Sequence, residues 1–237
     1  MKISICVPMY NESSIIANTA RELHKYMSTN FGNDYEIIFS DDGSSDGSAE
    51  MVRALELPNV KVVRYEKNRG KGCAVRYAVL ASEGDVVLFT DADLAYGVDL
   101  IAEAVRHLEK GTYSAVVASR SKHPEGYAGY TPIRKLASKT YIKILNLLLG
   151  IKISDAQCGF KGFDGEQGRK LFSLCTTDGF AFDLEVILIA QRVGIGIYEM
   201  PATIINHRDS KVNLIKDAPK MLREAFAIKK RVKNMEI

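Results

Sequence analysis

The cysteines lack any pairing pattern. Cys6, Cys73, Cys158 and Cys175 form no C-x-x-C couple, so neither a zinc site nor a disulfide framework is expected, and reduced thiols are the simplest reading. Long apolar runs are also missing. A membrane-spanning helix needs roughly 18 apolar residues, and the longest candidate, 141–153, is interrupted by Lys143, Asn146 and Lys152. Charge of one sign is not in excess: 32 Lys and Arg face 29 Asp and Glu, a net charge of +3, which gives no argument for a nucleic-acid partner. There is no internal repeat and no low-complexity segment. From Met1 the chain reads directly as a strand, without a signal-peptide pattern. The expectation is a cytoplasmic protein, at most peripheral to the cytoplasmic face of a membrane.

What is present suits one packed α/β domain. The 237 residues are 46% hydrophobic and 26% charged, enough for a core and too apolar for global disorder. The first half alternates strand and helix patterns. Strands are expected at 3–7, 36–39, 60–65, 85–90 and 115–119, with helices at 13–28, 48–55, 71–81 and 98–109. Such alternation implies a mostly parallel sheet with helices on both faces. Residues 85–90 are almost wholly apolar, which places them centrally. The second half is less regular. An aperiodic loop, expected to be mobile, covers 121–132, followed by helices at 133–149, 180–192 and 212–232 and a strand at 197–201.

In an open α/β sheet, ligands bind beyond the carboxyl ends of the strands. Four polar segments fall there: Pro8-Met9-Tyr10-Asn11-Glu12, Asp41-Asp42-Gly43-Ser44, Asn68-Arg69-Gly70-Lys71-Gly72 and Asp91-Ala92-Asp93. Two carboxylates at i and i+2 after an apolar strand repel each other unless a cation intervenes. Carboxylates suit Mg²⁺ or Mn²⁺, ions that commonly bridge to diphosphate oxygens. A solvated pair capping the next helix is the bland alternative. Asp41 and Asp42 can accept from a base or ribose, or form an Asx turn. Lys71 between two glycines can neutralise a phosphate that the glycines let approach, or sit in an ordinary helix start. A dinucleotide-binding G-x-G-x-x-G is disfavoured here. Val75 stands at the third glycine, the segment follows the third strand, and the acidic position is a doublet.

Taken together, P-x-Y-N-E, D-D-G-S-x-D-G, N-x-G-K-G-x-A-V-R and D-A-D-L in this order resemble the family 2 glycosyltransferases over essentially the whole chain. The segments Asp155–Lys161, Phe182–Glu185 and Asp209–Lys211 resemble the branch that glycosylates polyprenyl phosphates, in wording nearest the dolichyl-phosphate glucosyl type. That resemblance implies a GT-A fold in one domain, with residues 1–120 binding a nucleotide-sugar donor and 121–237 the acceptor. It implies that Pro8, Tyr10, Asn11, Glu12, Asp41, Asp42, Lys71, Ala92 and Lys211 contact the donor, and that Asp91 and Asp93 hold Mg²⁺ or Mn²⁺. Ala95 replaces a glutamine that aids the metal in some relatives. Arg120, Arg134, Ser138 and Gln157 would meet a polyprenyl phosphate, guanidinium groups suiting phosphate geometry. With Asp93, Arg120 and Arg134, Asp183 completes the catalytic set, and Asp155 or Asp183 would be the base if the acceptor were an alcohol.

Such an acceptor brings the protein to a membrane surface or a membrane protein partner. Ile142, Leu145, Leu148 and Leu149 with flanking lysines are expected to meet the bilayer, unless that helix packs in the core. The segment 211–237, with eight Lys or Arg against three Asp or Glu, would assist.

Overall fold

The computed structural model describes residues 1–206 and 214–236, apart from the side chains of residues 134, 137 and 214–221. The elements run β1 (Ile3–Met9), α1 (Ile16–Phe31), β2 (Tyr35–Asp41), α2 (Ser48–Arg53), β3 (Val60–Arg64), α3 (Lys71–Leu80), β4 (Val86–Thr90), α4 (Leu100–Glu109), β5 (Ala115–Ser119), α5 (Pro132–Leu149), β6 (Phe160–Asp164), α6 (Gly165–Leu174), α7 (Phe182–Arg192), β7 (Ile197–Pro201) and α8 (Leu214–Lys233). The strands form one seven-stranded sheet in the order β3-β2-β1-β4-β6-β5-β7. All pairings are parallel except those of β6, which runs antiparallel to both β4 and β5.

Two apolar layers cover the sheet. On one face Ile5, Val7, Ile37, Phe39 and Leu88 pack under α1 and α4. On the other, Cys6, Ile38, Val87 and Phe89 pack under α3, α6, α7 and α8. Alternate residues of β1 and β4 serve opposite faces, as the two-residue period of a strand requires. In α1, Ile16, Ala20, Leu23 and Met27 recur at helical spacing and are buried, and that stripe fixes its orientation. β4 is the middle strand, as its apolar run implies.

Between β4 and β5 the sequence reading is incomplete. Residues 160–174 hold a strand and a helix in a stretch to which the sequence reading assigns no strand or helix. The strand is hard to see because it is buried on both faces and carries a lysine and a glycine. Lys161 has no exposed surface. At Gly162 a Cβ would lie 2.2 Å from Leu88 Cδ2 and 2.8 Å from Val116 Cγ2, so only glycine fits between the flanking strands.

In the second half one expectation changes. Residues 121–132 form the expected loop, a mostly exposed run of turns. Tyr127 is buried, and a Cβ on Gly126 would meet Arg120 O at 2.0 Å. Helix α5 is present, but the face assigned to the bilayer is largely the core face. Ile142, Leu145 and Leu149 are buried, because helix spacing turns them inward together, and Leu145 and Leu149 join the apolar cluster to which α7 and α8 contribute. The exposed apolar residues of α5 are Ile133, Leu136, Ile144, Leu147 and, in part, Leu148.

Helix α8 is fastened to the body through Glu185 near the start of α7. Its buried carboxylate accepts from Thr176 N (3.0 Å), Thr177 N (2.7 Å) and Arg231 Nη2 (2.6 Å). Burial opposes ionisation, but the Thr177 amide and Arg231 hold this carboxyl below the usual glutamate range. Its contribution is therefore present above pH 4.5, the ordinary value, and fades as pH falls through the lowered one. Glu185→Ala should cost about 2–3 kcal/mol at neutral pH by stranding buried donors. In urea melts the gap to wild type should narrow below that pH.

Candidate active site

The sheet's topology opens a crevice. β1 pairs with β4 only as far as Cys6–Phe89, while its pairing with β2 continues to Met9–Asp41. Beyond Cys6 the two central strands part, at the point where strand order reverses. Pro8 lies past the last β1–β4 pair, where its missing N–H interrupts nothing on that side. The chain then exposes Tyr10, and Asn11 adopts a left-handed φ of 52°.

The loops around this crevice are tied together by short polar side chains. Asn11 N donates to Ser44 Oγ (2.9 Å), and Ser45 N donates to Asn11 Oδ1 (3.0 Å). Glu12 is buried, and its amide donates to Ser48 Oγ (2.9 Å). Ser48 and Ser13 donate to Asp46 and hold its carboxyl down at about 2 despite some desolvation. Asp41 is fully buried, accepting from Ser44 N at 3.0 Å with Arg64 Nε 3.3 Å away.

Asp42 is the most heavily engaged of these groups. Its carboxylate accepts from Tyr65 OH (2.8 Å), Asn68 Nδ2 (2.9 Å), Arg69 N (2.7 Å) and Gly70 N (2.9 Å). It therefore organises the loop before α3. Burial and Asp42 together push the Tyr65 hydroxyl well above its ordinary range.

The glycines beside Lys71 have a different use from the one the sequence suggests. A Cβ on Gly70 would meet Asp178 O at 2.5 Å, and one on Gly72 would meet Thr177 O at 2.4 Å. They admit the 177–179 loop, whose Asp178 carbonyl accepts from Cys73 N (3.2 Å). Asp178 also accepts from Arg69 Nη2 (3.0 Å) and Arg76 Nη2 (2.6 Å). The start of α3 is thus covered by this chain's own loop.

Lys71 instead extends its side chain to Asp91, whose Oδ1 its ammonium contacts directly. Burial opposes the Lys71 charge, but Asp91, then Asp183 and Asp93, hold its pKa above the usual lysine range. Asp93 Oδ1 accepts from Ala95 N (3.1 Å). Ala92 is buried, and its carbonyl accepts from Thr19 Oγ1 (2.6 Å). Asn206 Nδ2 spans the same turn, donating to Asp93 O (3.2 Å) and Leu94 O (3.1 Å). Asp183 pairs with the wholly buried Lys161, which also donates to Cys158 O (2.7 Å). Burial pushes the Asp183 carboxyl up, against the pull of Lys161 and Lys71.

Asp91 and Asp93 supply two hard oxygen ligands. Among the described residues no group of three or more His, Cys, Asp or Glu could hold a metal. Such a pair fits Mg²⁺ or Mn²⁺ when diphosphate and water oxygens complete the shell, as both ions commonly allow.

Beyond β5, Arg120 forms a fork with Asp155: Nε to Oδ2 at 2.7 Å and Nη2 to Oδ1 at 3.0 Å. Its Nη1 reaches Tyr130 OH at 3.3 Å. Burial opposes the Arg120 charge, and Asp155 more than compensates. Ser138 is buried on α5 and Gln157 is half-buried in the turn before β6. Arg134 lies on α5, its side chain outside the description, and Lys211 lies outside the described residues. The structure thus gathers Lys71, Asp91, Asp93 and Asp183 in one corner. It joins Asn11 to the 44–48 turn and pairs Arg120 with Asp155.

Sequence reasoning gave no individual role to Lys161 or Gly159. A Cβ on Gly159 would sit 2.1 Å from Asp91 Oδ2. The only signal was their place in the Gln157–Lys161 motif.

A doubly wound sheet with an Asp pair and a lysine at its switch point defines a nucleotide-sugar-binding α/β fold. The chain belongs to glycosyl transferase family 2, whose sequence model matches residues 4–167. It is similar to a dolichyl-phosphate beta-glucosyltransferase (ALG5C) of Trichomonas vaginalis, 34% identical over 219 residues, 88% of this chain and 65% of that protein. The Saccharomyces cerevisiae dolichyl-phosphate beta-glucosyltransferase is 29% identical, with 96% of this chain and 74% of that protein covered. The chain thus spans about two thirds to three quarters of these relatives. It spans only 35% of another, the glycosyltransferase AglD of Haloferax volcanii, at 30% identity over 92% of this chain. Among solved structures, glucosyl-3-phosphoglycerate synthase from Mycobacterium tuberculosis, in complex with Mn²⁺, UDP and phosphoglyceric acid, superposes with a TM-score of 0.70. Identity is 20%, covering 100% of this chain and 80% of that one. The expected GT-A fold is present.

Gly159→Ala should displace the Asp91 carboxylate and abolish metal-dependent nucleotide binding, read by isothermal titration with Mn²⁺ and UDP. Gly179→Ala, where a Cβ meets nothing within 4 Å, should leave binding intact.

Proposed function

We propose that this chain transfers a hexose, glucose from UDP-glucose, to a polyprenyl phosphate, by one in-line displacement that inverts the anomeric carbon. The observation carrying this reading is the corner where Lys71, Asp91 and Asp93 meet at the switch point of the sheet. The similarity to dolichyl-phosphate beta-glucosyltransferases supports the choice of donor and acceptor. Residues 1–120 carry the donor, and 121–237 receive the acceptor.

Asp91 and Asp93 would hold Mg²⁺ or Mn²⁺, which when bound supplies positive charge against the departing diphosphate. The exposed Tyr10 and the Asn11–Ser44 turn border the nucleotide. Asp42, fully engaged, shapes that border by holding 65–70 in place. Arg120, with Arg134 and Ser138 on α5, orients an acceptor that is already anionic and needs no strong base. The engagement of both Asp155 oxygens by Arg120, and of Asp183 by Lys161, supports that acceptor over an alcohol.

In a melting assay, UDP-glucose with Mn²⁺ should raise the midpoint, and Asp93→Ala should lose the shift. A wild-type chain without metal-dependent nucleotide stabilisation sinks the reading. A larger shift with GDP-mannose would reassign the donor. Turnover on undecaprenyl phosphate should exceed that on simple glycosides.

The outward side of α5 is the surface that meets the lipid. Leu136 is 69% exposed, and Ile133 and Leu147 are each 82% exposed. The helix contains Arg134, Lys135, Lys139 and Lys143 and no acidic residue, which complements an anionic leaflet. No helix among the described residues is long and apolar enough to cross a membrane. The double variant Leu136→Glu/Leu147→Glu should lower co-sedimentation with phosphatidylglycerol vesicles several-fold while leaving UDP-glucose binding unchanged. Unaltered co-sedimentation would remove α5 as the docking face.

A further inference from the structure

The contact between Lys71 and Asp91 joins the group that should neutralise a phosphate to a group that should hold a metal. While that contact stands, Asp91 Oδ1 is spent on an ammonium and the Lys71 charge is balanced by a carboxylate rather than by a phosphate. The corner contains three carboxylates, Asp91, Asp93 and Asp183, and two ammonium groups, Lys71 and Lys161. Lys161 is committed: it has no exposed surface and is bound to Asp183 and to the Cys158 carbonyl. Lys71 is less confined, with its side chain 20% exposed and that of Asp91 29% exposed. Its backbone is fixed, because Gly70 and Gly72 are pressed against the 177–179 loop. Only the side chain can change partner.

We propose that Lys71 is the resident cation of the site: it neutralises Asp91 before ligands arrive and yields Asp91 to the metal only when a donor diphosphate enters. The proposal rests on the reading of Asp91 and Asp93 as metal ligands. Its physical basis is charge balance. A divalent ion approaching Asp91 would meet an ammonium already bound to it, and the two cations would repel. A diphosphate would bring enough negative charge to balance both Lys71, through its N–H donors, and the metal. The covered start of α3 strengthens this, since the Cys73 amide there donates to the Asp178 carbonyl rather than to a ligand. Phosphate neutralisation then falls to the Lys71 side chain. The consequence is positive coupling between metal and nucleotide, equal in both directions.

The test is direct Mn²⁺ binding, read from the EPR signal of free Mn²⁺, with and without UDP. Wild type should bind Mn²⁺ weakly alone and more tightly, by about tenfold or more, with UDP, in the range of ordinary coupling energies. Lys71→Met should bind Mn²⁺ alone about tenfold more tightly than wild type, and the gain from UDP should shrink. Lys71→Gln carries the same expectation, should the methionine variant not fold. Lys71→Arg, which keeps the charge, should behave like wild type. If the neutral variants bind Mn²⁺ alone no better than wild type, the proposal is overturned while the metal site stands. If wild type binds no Mn²⁺ even with UDP, the metal-site reading itself falls, and the proposal with it.

Discussion

Carboxylates gathered at the ends of strands repel one another and lose solvent, and this sheet gathers three of them in one corner. The elements around that corner follow from the need to balance them. Lys161 meets Asp183 because β6 is inserted antiparallel beside β4, bringing Lys161 into register with Phe89. Its ammonium lies 5.3 Å from the centroid of the Phe89 ring. An ammonium with no exposed surface would be costly without its carboxylate and carbonyl partners. The antiparallel strand is thus part of the site's electrostatics as well as of the sheet. Lys71 meets Asp91 from α3, a helix whose first turn is held down by the 177–179 loop.

The same economy of groups appears in the loops. Asp42 looks like a ligand-facing carboxylate in sequence, yet it spends its acceptors on the protein, as its neighbour Asp46 does. Asp42 gathers donors from the 65–70 loop, and Asp46 gathers Ser13 and Ser48. Such inward hydrogen bonds tie three strand-end loops into one border. Rigidity there matters for a donor site, because a misplaced loop costs orientation at the reacting centre.

Most of the fold is legible in the sequence. Apolar periodicity marks α1, and the unbroken run 86–90 marks the central strand. The four strand-end motifs identify the crevice. What stays hidden has a physical cause in each case. β6 carries Lys161 and Gly162 at interior positions, so it shows no apolar alternation. Gly159 looks like a turn residue, but its missing Cβ makes room for Asp91. Gly70 and Gly72 read as phosphate-cradling glycines because a glycine between a strand and a helix serves either purpose. Only the neighbouring loop, more than 100 residues away in sequence, decides between them. The two apolar sides of α5 cannot be assigned from one helix, since both have helical spacing and only packing into the apolar cluster selects the inner one.

Residues 155–161 connect the two sides of the site. Asp155 grips Arg120, Gly159 lies against Asp91, and Lys161 neutralises Asp183. One short segment therefore sets Arg120, Asp91 and the buried charge at Asp183. Its end is anchored in the sheet as β6, paired on both edges. A shift of this segment would move all three groups together. Under the function proposed above, that coupling would suit a displacement in which the distance between attacking oxygen and anomeric carbon must be held. It also explains why the motif spanning these residues contains a buried lysine and a glycine rather than groups aimed at solvent. Its work is to position side chains that other elements provide.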